Sequence, residues 1–124
     1  MAERVLAKKC GNLSVTILRP SIIISANKSP FPGWIDTLAA AGGLVMAMSL
    51  GAMHFQNGDS NIYLDFIPVD YVCNQLLVHT VVAGRSKQPK FQIVHSATSD
   101  CNPLVYGKSI AAMFEEIKWR PWFK

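Results

Sequence analysis

The sequence predicts an α/β protein with a largely parallel sheet. Three observations carry that expectation. Short β-branched or apolar runs alternate with stretches of helical character. The first run, Ser14–Leu18, is nearly continuous in its apolar character, as in strands covered on both faces by helices. The stretch from Pro68 to Ala83 repeats its apolar residues with the helical period.

Met1 to Lys9 is built from Ala, Glu, Arg, Leu and Lys, strong helix formers, and Gly11 is placed to end that helix. No N-cap precedes it, so it reads as the tail of a longer helix. Ser14 to Leu18 follows as a strand that should stop near Arg19, because Pro20 has no N–H for a ladder. The apolar character resumes in Ile22, Ile23 and Ile24. Pro30-Phe31-Pro32-Gly33-Trp34 must be a loop of fixed path. A short helix is expected over Gly33–Ala41 and a short strand over Met53–Gln56.

Thr37 to Gly58 is uncharged for 22 positions, enough on length alone to span a bilayer. It is richer in Ala, Gly, Ser and Met than in Leu, Ile and Phe, which makes insertion marginal. A buried loop-and-strand region is the expectation here. Asn61 to Ile67 reads as one strand leading into the helix Pro68–Ala83. That helix sets Val69, Val72, Cys73, Leu76, Leu77, Thr80 and Val81 on one face, with Gly84 to cap it. Asp70 in its first turn suits the helix dipole. Phe91 to His95 is a further strand. Leu104 to Lys118 is a second amphipathic helix, with Asn102 and Pro103 at its start and Ile110, Met113, Phe114 and Ile117 on one face.

Length and composition set bounds. A chain of 124 residues suffices for one small domain, and half of them are apolar, too many for a disordered chain. The net charge of +4 is scattered, with no run dense enough for a nucleic-acid patch. Cys10, Cys73 and Cys101 are odd in number and widely spaced, which fits reduced thiols rather than a disulfide framework or a zinc site.

No self-contained catalytic site is visible. The eight glycines form no G-x-G-x-x-G turn or P-loop, and the three histidines have no metal-ligand spacing. His79, beside the apolar face of the Pro68–Ala83 helix, is expected to be structural or at the surface. None of Tyr63, Tyr71 and Tyr106 has a lysine four residues on.

Four motifs are distinctive in their order and spacing. They are Arg19-Pro20-Ser21 at a strand end, Pro30 through Asp36, Asp65 through Asn74 at a strand-to-helix junction, and Asn102 through Gly107 at the last helix. Together they resemble the fatty acyl-CoA reductases, alcohol-forming enzymes related to plant male-sterility proteins within the extended short-chain dehydrogenase/reductases. The resemblance runs from about Ala2 to about Phe114. It implies a partial Rossmann-like NAD(P)-binding domain across residues 1–124, corresponding to the C-terminal, substrate-side half. The family's glycine-rich turn and Tyr-x-x-x-Lys pair would precede Met1. A smaller C-terminal domain and a membrane-anchoring segment, seen in many members, would follow the chain.

The resemblance also implies a function. It is NADPH-dependent reduction of a long-chain fatty acyl-CoA to a fatty alcohol for wax or ether lipids, on the cytosolic face of the peroxisomal or endoplasmic reticulum membrane. Pro20, Ser21 and Ile22 would contact the cofactor, largely through backbone groups, unless Arg19 and Pro20 only shape the turn. Phe31 and Trp34 would line the acyl pocket, with Trp34 equally a candidate for the core. Asp65, Asp70 and Asn74 are assigned structural roles at the strand-to-helix junction. Two departures stand out: Tyr106 occupies a position where the family usually has Trp, and Ala47–Gln56 lacks a basic residue often found there. Alone, the chain is expected neither to bind NADPH well nor to turn over. Two other classes stay open: a non-catalytic family member that binds acyl-CoA or pairs with a complete subunit, and a small membrane-associated protein using Thr37–Gly58.

Overall fold

The computed structural model describes residues 1–39, 41–53, 57–86 and 90–119. The first helix, α1 (Ala2–Lys9), ends at Cys10, with Gly11 beyond it at a φ of +54°, the left-handed conformation that glycine adopts without penalty. Strand β1 (Val15–Pro20) runs parallel to β5 (Phe91–Ser96), in register from Val15 opposite Phe91 to Pro20 opposite Ser96. Strand β2 (Ile22–Ile24) runs parallel to β4 (Phe66–Pro68). A third, antiparallel pair joins β3 (Tyr63–Leu64) to β6 (Leu104–Val105). Helices α2 (Ala41–Ser49), α3 (Val69–Arg85) and α4 (Tyr106–Trp119) complete the order. The expected α/β class with parallel pairing is therefore present.

Pro20 lies inside β1, one residue past the expected end, and the parity of the ladder explains why it is tolerated. Val15 donates to the Lys90 carbonyl and Ser21 to the Ser96 carbonyl, so the odd-numbered N–H groups face β5. Pro20 is even-numbered. Its missing donor belongs to the other edge of β1, where no described strand pairs.

Several expectations are corrected. The segment expected as a helix over Gly33–Ala41 is not helical over residues 33–39; the helix comes later, as α2, beginning at Ala41. Gly33 has a φ of +85° and donates to the Ala26 carbonyl, which commits it to the loop before it. The helix instead forms where Ala, Leu and Met gather, so the region from Thr37 is not simply loop and strand. The short strand expected over Met53–Gln56 falls on positions 54–56, outside the described residues. Asn61–Ile67 is not one strand but two, with Tyr63–Leu64 and Phe66–Pro68 facing different partners. Helix α3 passes through Gly84 and ends at Ser86. The last helix starts at Tyr106, because Leu104 and Val105 are drawn into pairing with β3. Among the described residues, no helix is long and apolar enough to cross a membrane.

Helix α3 packs on β1, β2 and β4. Its buried or half-buried residues are Val69, Asp70, Val72, Gln75, His79 and Ala83. Leu76, Leu77 and Val81 of the expected apolar face are at least half exposed. Strand β5 likewise hides Gln92, Val94 and Ser96 and exposes Phe91, Ile93 and His95. The outer face of β5 is thus left open among the described residues, whereas β1 is half-buried on both faces from Val15 to Leu18. The accessible surface of 9623 Å² exceeds the roughly 6,600 Å² of a compact monomer of this mass. Ile67, 1% exposed on β4, is the largest fully buried side chain.

Ile67→Ala is expected to cost about 2–5 kcal/mol, because it opens a cavity where β4 meets α3. Leu77→Ala, on the exposed side of α3, should stay within about 0.5 kcal/mol. Urea midpoints of the two variants would show this contrast; equal shifts would place the core elsewhere.

Candidate functional site

In open parallel sheets, ligands sit beyond the carboxyl ends of the strands, where neighbouring strands diverge. Here that place is the junction of β1 and β2. The chain runs straight from one to the other but changes partner, leaving β5 and joining β4. Ser21 N–H still donates to Ser96 at 2.9 Å, and Ile22 N–H donates to the Asp65 carbonyl at 3.2 Å. Pro20 and Ile22 are exposed, Ile22 to 45%. Ser21 Oγ and Ser96 Oγ are buried without a hydrogen-bond partner. Ser21 Oγ lies close enough to favour the charged form of Asp65, but without hydrogen-bond alignment.

These contacts narrow the expected role of Pro20, Ser21 and Ile22. The two N–H groups are spent within the sheet, and Pro20 has none. What the edge offers outward is the apolar surface of Pro20 and Ile22. Arg19, the adjacent cation, is held by Glu3 of α1 through two hydrogen bonds, one of them from Nε at 2.9 Å. That pairing lowers the Glu3 pKa and raises that of Arg19, chiefly through the side-chain hydrogen bond.

The loop after β2 carries Phe31 and Trp34. Its neck is closed by Ala26 N–H to the Trp34 carbonyl at 2.9 Å and Gly33 N–H to the Ala26 carbonyl at 2.8 Å. The Ser29–Pro30 peptide is cis. Phe31 is 58% exposed and Trp34 is half-buried, so neither belongs to the core. Asp70, 8% exposed in the first turn of α3, accepts the backbone N–H groups of Asn27 (3.0 Å), Lys28 (2.9 Å) and Ser29 (3.3 Å). Tyr71 accepts Asn27 Nδ2 at 2.9 Å.

Asp65 does the same for the segment after β5. It accepts Thr98 N–H at 2.9 Å and Ser99 Oγ–H at 3.0 Å, while Thr98 Oγ donates to the Phe66 carbonyl. Both carboxyls are held below the usual aspartate range. The largest cause is the Thr98 N–H for Asp65 and the Asn27 N–H for Asp70, each opposed by desolvation. The structural role assigned to the two aspartates holds, but their targets do not lie in their own strand-to-helix junction. They lie 33–34 residues away for Asp65 and 41–43 for Asp70. Only the flanking of a short apolar strand by two aspartates hinted at this.

Three further features frame the site. Among the described residues, no group of His, Cys, Asp and Glu could hold a metal. Cys10, Cys73 and Cys101 are free thiols. A cavity of about 500 Å³ lies between β1 and α3, lined by Thr16, Leu18, Leu76, His79 and Thr80 among others. It includes none of Pro20, Ser21, Ile22, Phe31 and Trp34, and strand direction is the stronger guide to where a ligand sits. His79 is half-buried on this side of α3, as expected of a structural histidine, and its Nδ1 has no partner.

Comparison with known proteins bears on this arrangement. A family model described as "Male sterility protein" matches residues 1–76. Fatty acyl-CoA reductase 1 of Rattus norvegicus is 32% identical over 108 residues, 87% of this chain and 21% of that protein. Fatty acyl-CoA reductase 2 of Bos taurus is 34% identical over 131 aligned positions, covering 100% of this chain and 25% of that protein. The chain therefore spans about a fifth to a quarter of the length of the curated relatives it matches.

The depressed Asp65 pKa gives a pH test. A carboxyl whose folded pKa lies below its unfolded value, about 3.9, stabilises the fold fully above that value and stops doing so as pH falls through the folded one. Asp65→Asn should therefore lower the urea midpoint at pH 7. It should also flatten the loss of stability as pH falls below about 4. Parallel acid limbs for the two proteins would remove Asp65 from this role.

Proposed function

The chain belongs to the male sterility protein family, and from that premise we propose that it forms the substrate-side part of an NADPH-dependent fatty acyl-CoA reductase that makes fatty alcohols from long-chain acyl-CoA thioesters. A nicotinamide cofactor accompanies the family; NADPH rather than NADH, and the long acyl chain, are our reading. The observation that carries it is the juxtaposition at the carboxyl ends of the parallel strands. There the exposed apolar edge of Pro20 and Ile22 is followed directly by a closed loop bearing an exposed Phe31 and a half-exposed Trp34.

In this reading the bound nicotinamide supplies hydride to the thioester carbonyl. The residues of this chain supply surface and order. Pro20 and Ile22 present a dry, flat wall that keeps water from the ring face. The Ser21 N–H keeps that wall anchored to β5. Phe31 and Trp34 offer the apolar surface along which an alkyl chain lies. The chain contains no Tyr-x-x-x-Lys pair and no glycine-rich turn, so proton donation and phosphate binding are assigned to other parts of a complete enzyme. We place that enzyme on the cytosolic face of the peroxisomal or endoplasmic reticulum membrane, feeding wax or ether-lipid synthesis.

The test is a chimera in which this chain replaces the matching segment of the Bos taurus fatty acyl-CoA reductase 2. Palmitoyl-CoA should be converted to hexadecanol with NADPH and much more slowly with NADH. Phe31→Ala should lower kcat/KM for palmitoyl-CoA about tenfold, consistent with the loss of a few buried methylenes' worth of contact. A folded chimera that binds NADPH yet yields neither aldehyde nor alcohol would refute the proposal.

A further inference from the structure

We propose that Asp70 is the positioning residue of the acyl-binding loop: its carboxylate fixes residues 26–34 against the sheet and so sets where Phe31 and Trp34 stand. The inference rests on the reading that those two aromatics contact the acyl chain. It adds the residue that makes the contact possible without touching substrate.

The loop has little apolar substance of its own to hold its shape. Ala26, at 3% exposure, is its only buried residue, while Asn27 through Gly33 are all exposed. Chain entropy would scatter such a segment unless fixed contacts oppose it. The contacts are polar and converge on one helix turn. Asp70 Oδ1 takes the Asn27 N–H, and Oδ2 takes those of Lys28 and Ser29. Tyr71, the next residue, takes the Asn27 side chain. Charged acceptors make the stronger hydrogen bonds, and this one is largely shielded from water.

The anchor itself is firm. Asp70 stands two residues beyond the end of β4, which holds the fully buried Ile67, and two residues before the buried Val72 of the same helix. Core packing on both sides fixes the carboxylate, the carboxylate fixes the loop's entry, and the Ala26–Trp34 and Gly33–Ala26 bonds carry that constraint to the aromatics. A misplacement on the order of 1 Å at such a site is enough to cost a large factor in productive binding.

The experiment uses the whole chain and two readouts. Amide exchange reports the loop directly, and calorimetric titration with palmitoyl-CoA, against free CoA as control, reports the pocket. In Asp70→Asn, exchange should accelerate at residues 27–34 and stay slow at Ile17 and Val94, whose N–H groups face each other's strand in the β1–β5 ladder. The affinity for palmitoyl-CoA should fall about tenfold, with free CoA unaffected. Asp70→Glu should recover part of the loss. Unchanged exchange in the loop, or accelerated exchange with unchanged palmitoyl-CoA affinity, overturns the proposal. If Asp70→Asn loses protection at Ile17 and Val94 as well, Tyr71→Phe decides: a weaker loss of the same pattern supports the clamp, and no loss overturns it. Phe31→Ala separates the two claims. Palmitoyl-CoA binding that depends on Phe31 but not on Asp70 ends this inference and leaves the function standing. An absence of binding to the wild-type chain, or binding indifferent to Phe31, ends both.

Discussion

The change of partner between β1 and β2 is the constraint on which the site depends. A single extended stretch from Val15 to Ile24 pairs first with β5 and then with β4, and the switch falls at Pro20 and Ser21. Ladder parity lets a residue without an N–H sit there, since its nitrogen faces the edge away from β5. Two parallel partners meet the one extended stretch from opposite edges, and the exposed Pro20 and Ile22 form a wall at the switch. Their donors are already committed to Ser96 and Asp65, so the wall is apolar by construction.

Around that switch the fold relies on carboxylates more than on core. Among the described residues four apolar side chains are buried, and the molecule exposes more surface than its mass requires. The segments following β2 and β5 have little apolar packing to order them. Each is instead tied by an aspartate at one end of β4: Asp65 before it holds Thr98 and Ser99, and Asp70 after it holds Asn27 through Ser29. One three-residue strand, pinned through Ile67, thereby orders loops from both sides of the sheet. The same hydrogen bonds that order the loops keep the two carboxyls ionised.

The sequence displayed this architecture unevenly, for physical reasons. The strands Val15–Pro20 and Phe91–Ser96 and the helix Val69–Arg85 were legible because composition and period agree in them. The split of Asn61–Ile67 was not, since a two-residue strand carries too little periodicity to be seen. The helix Ala41–Ser49 was missed because its glycines and serine outweighed its Ala, Leu and Met in a reading by composition. The apolar stripe of α3 was read correctly as a pattern, yet the structure buries a neighbouring stripe through Gln75, His79 and Ala83. Period alone does not say which of two adjacent faces meets a sheet. At the site, Pro20, Ser21, Ile22, Phe31 and Trp34 are proposed from motifs, whereas the partners of Asp65 and Asp70 are long-range and leave no local signature.

The central claim is that ligand binds at the carboxyl ends of β1 and β2 rather than in the cavity beneath α3, and photo-crosslinking tests it most directly. A palmitoyl-CoA analogue with a diazirine at the end of its acyl chain would be irradiated with the protein and the adducts located by peptide mass spectrometry. Labelling is expected on the peptide holding Phe31 and Trp34. Labelling concentrated on Leu76, Thr80 and Ala83, which line the other cavity, would contradict it.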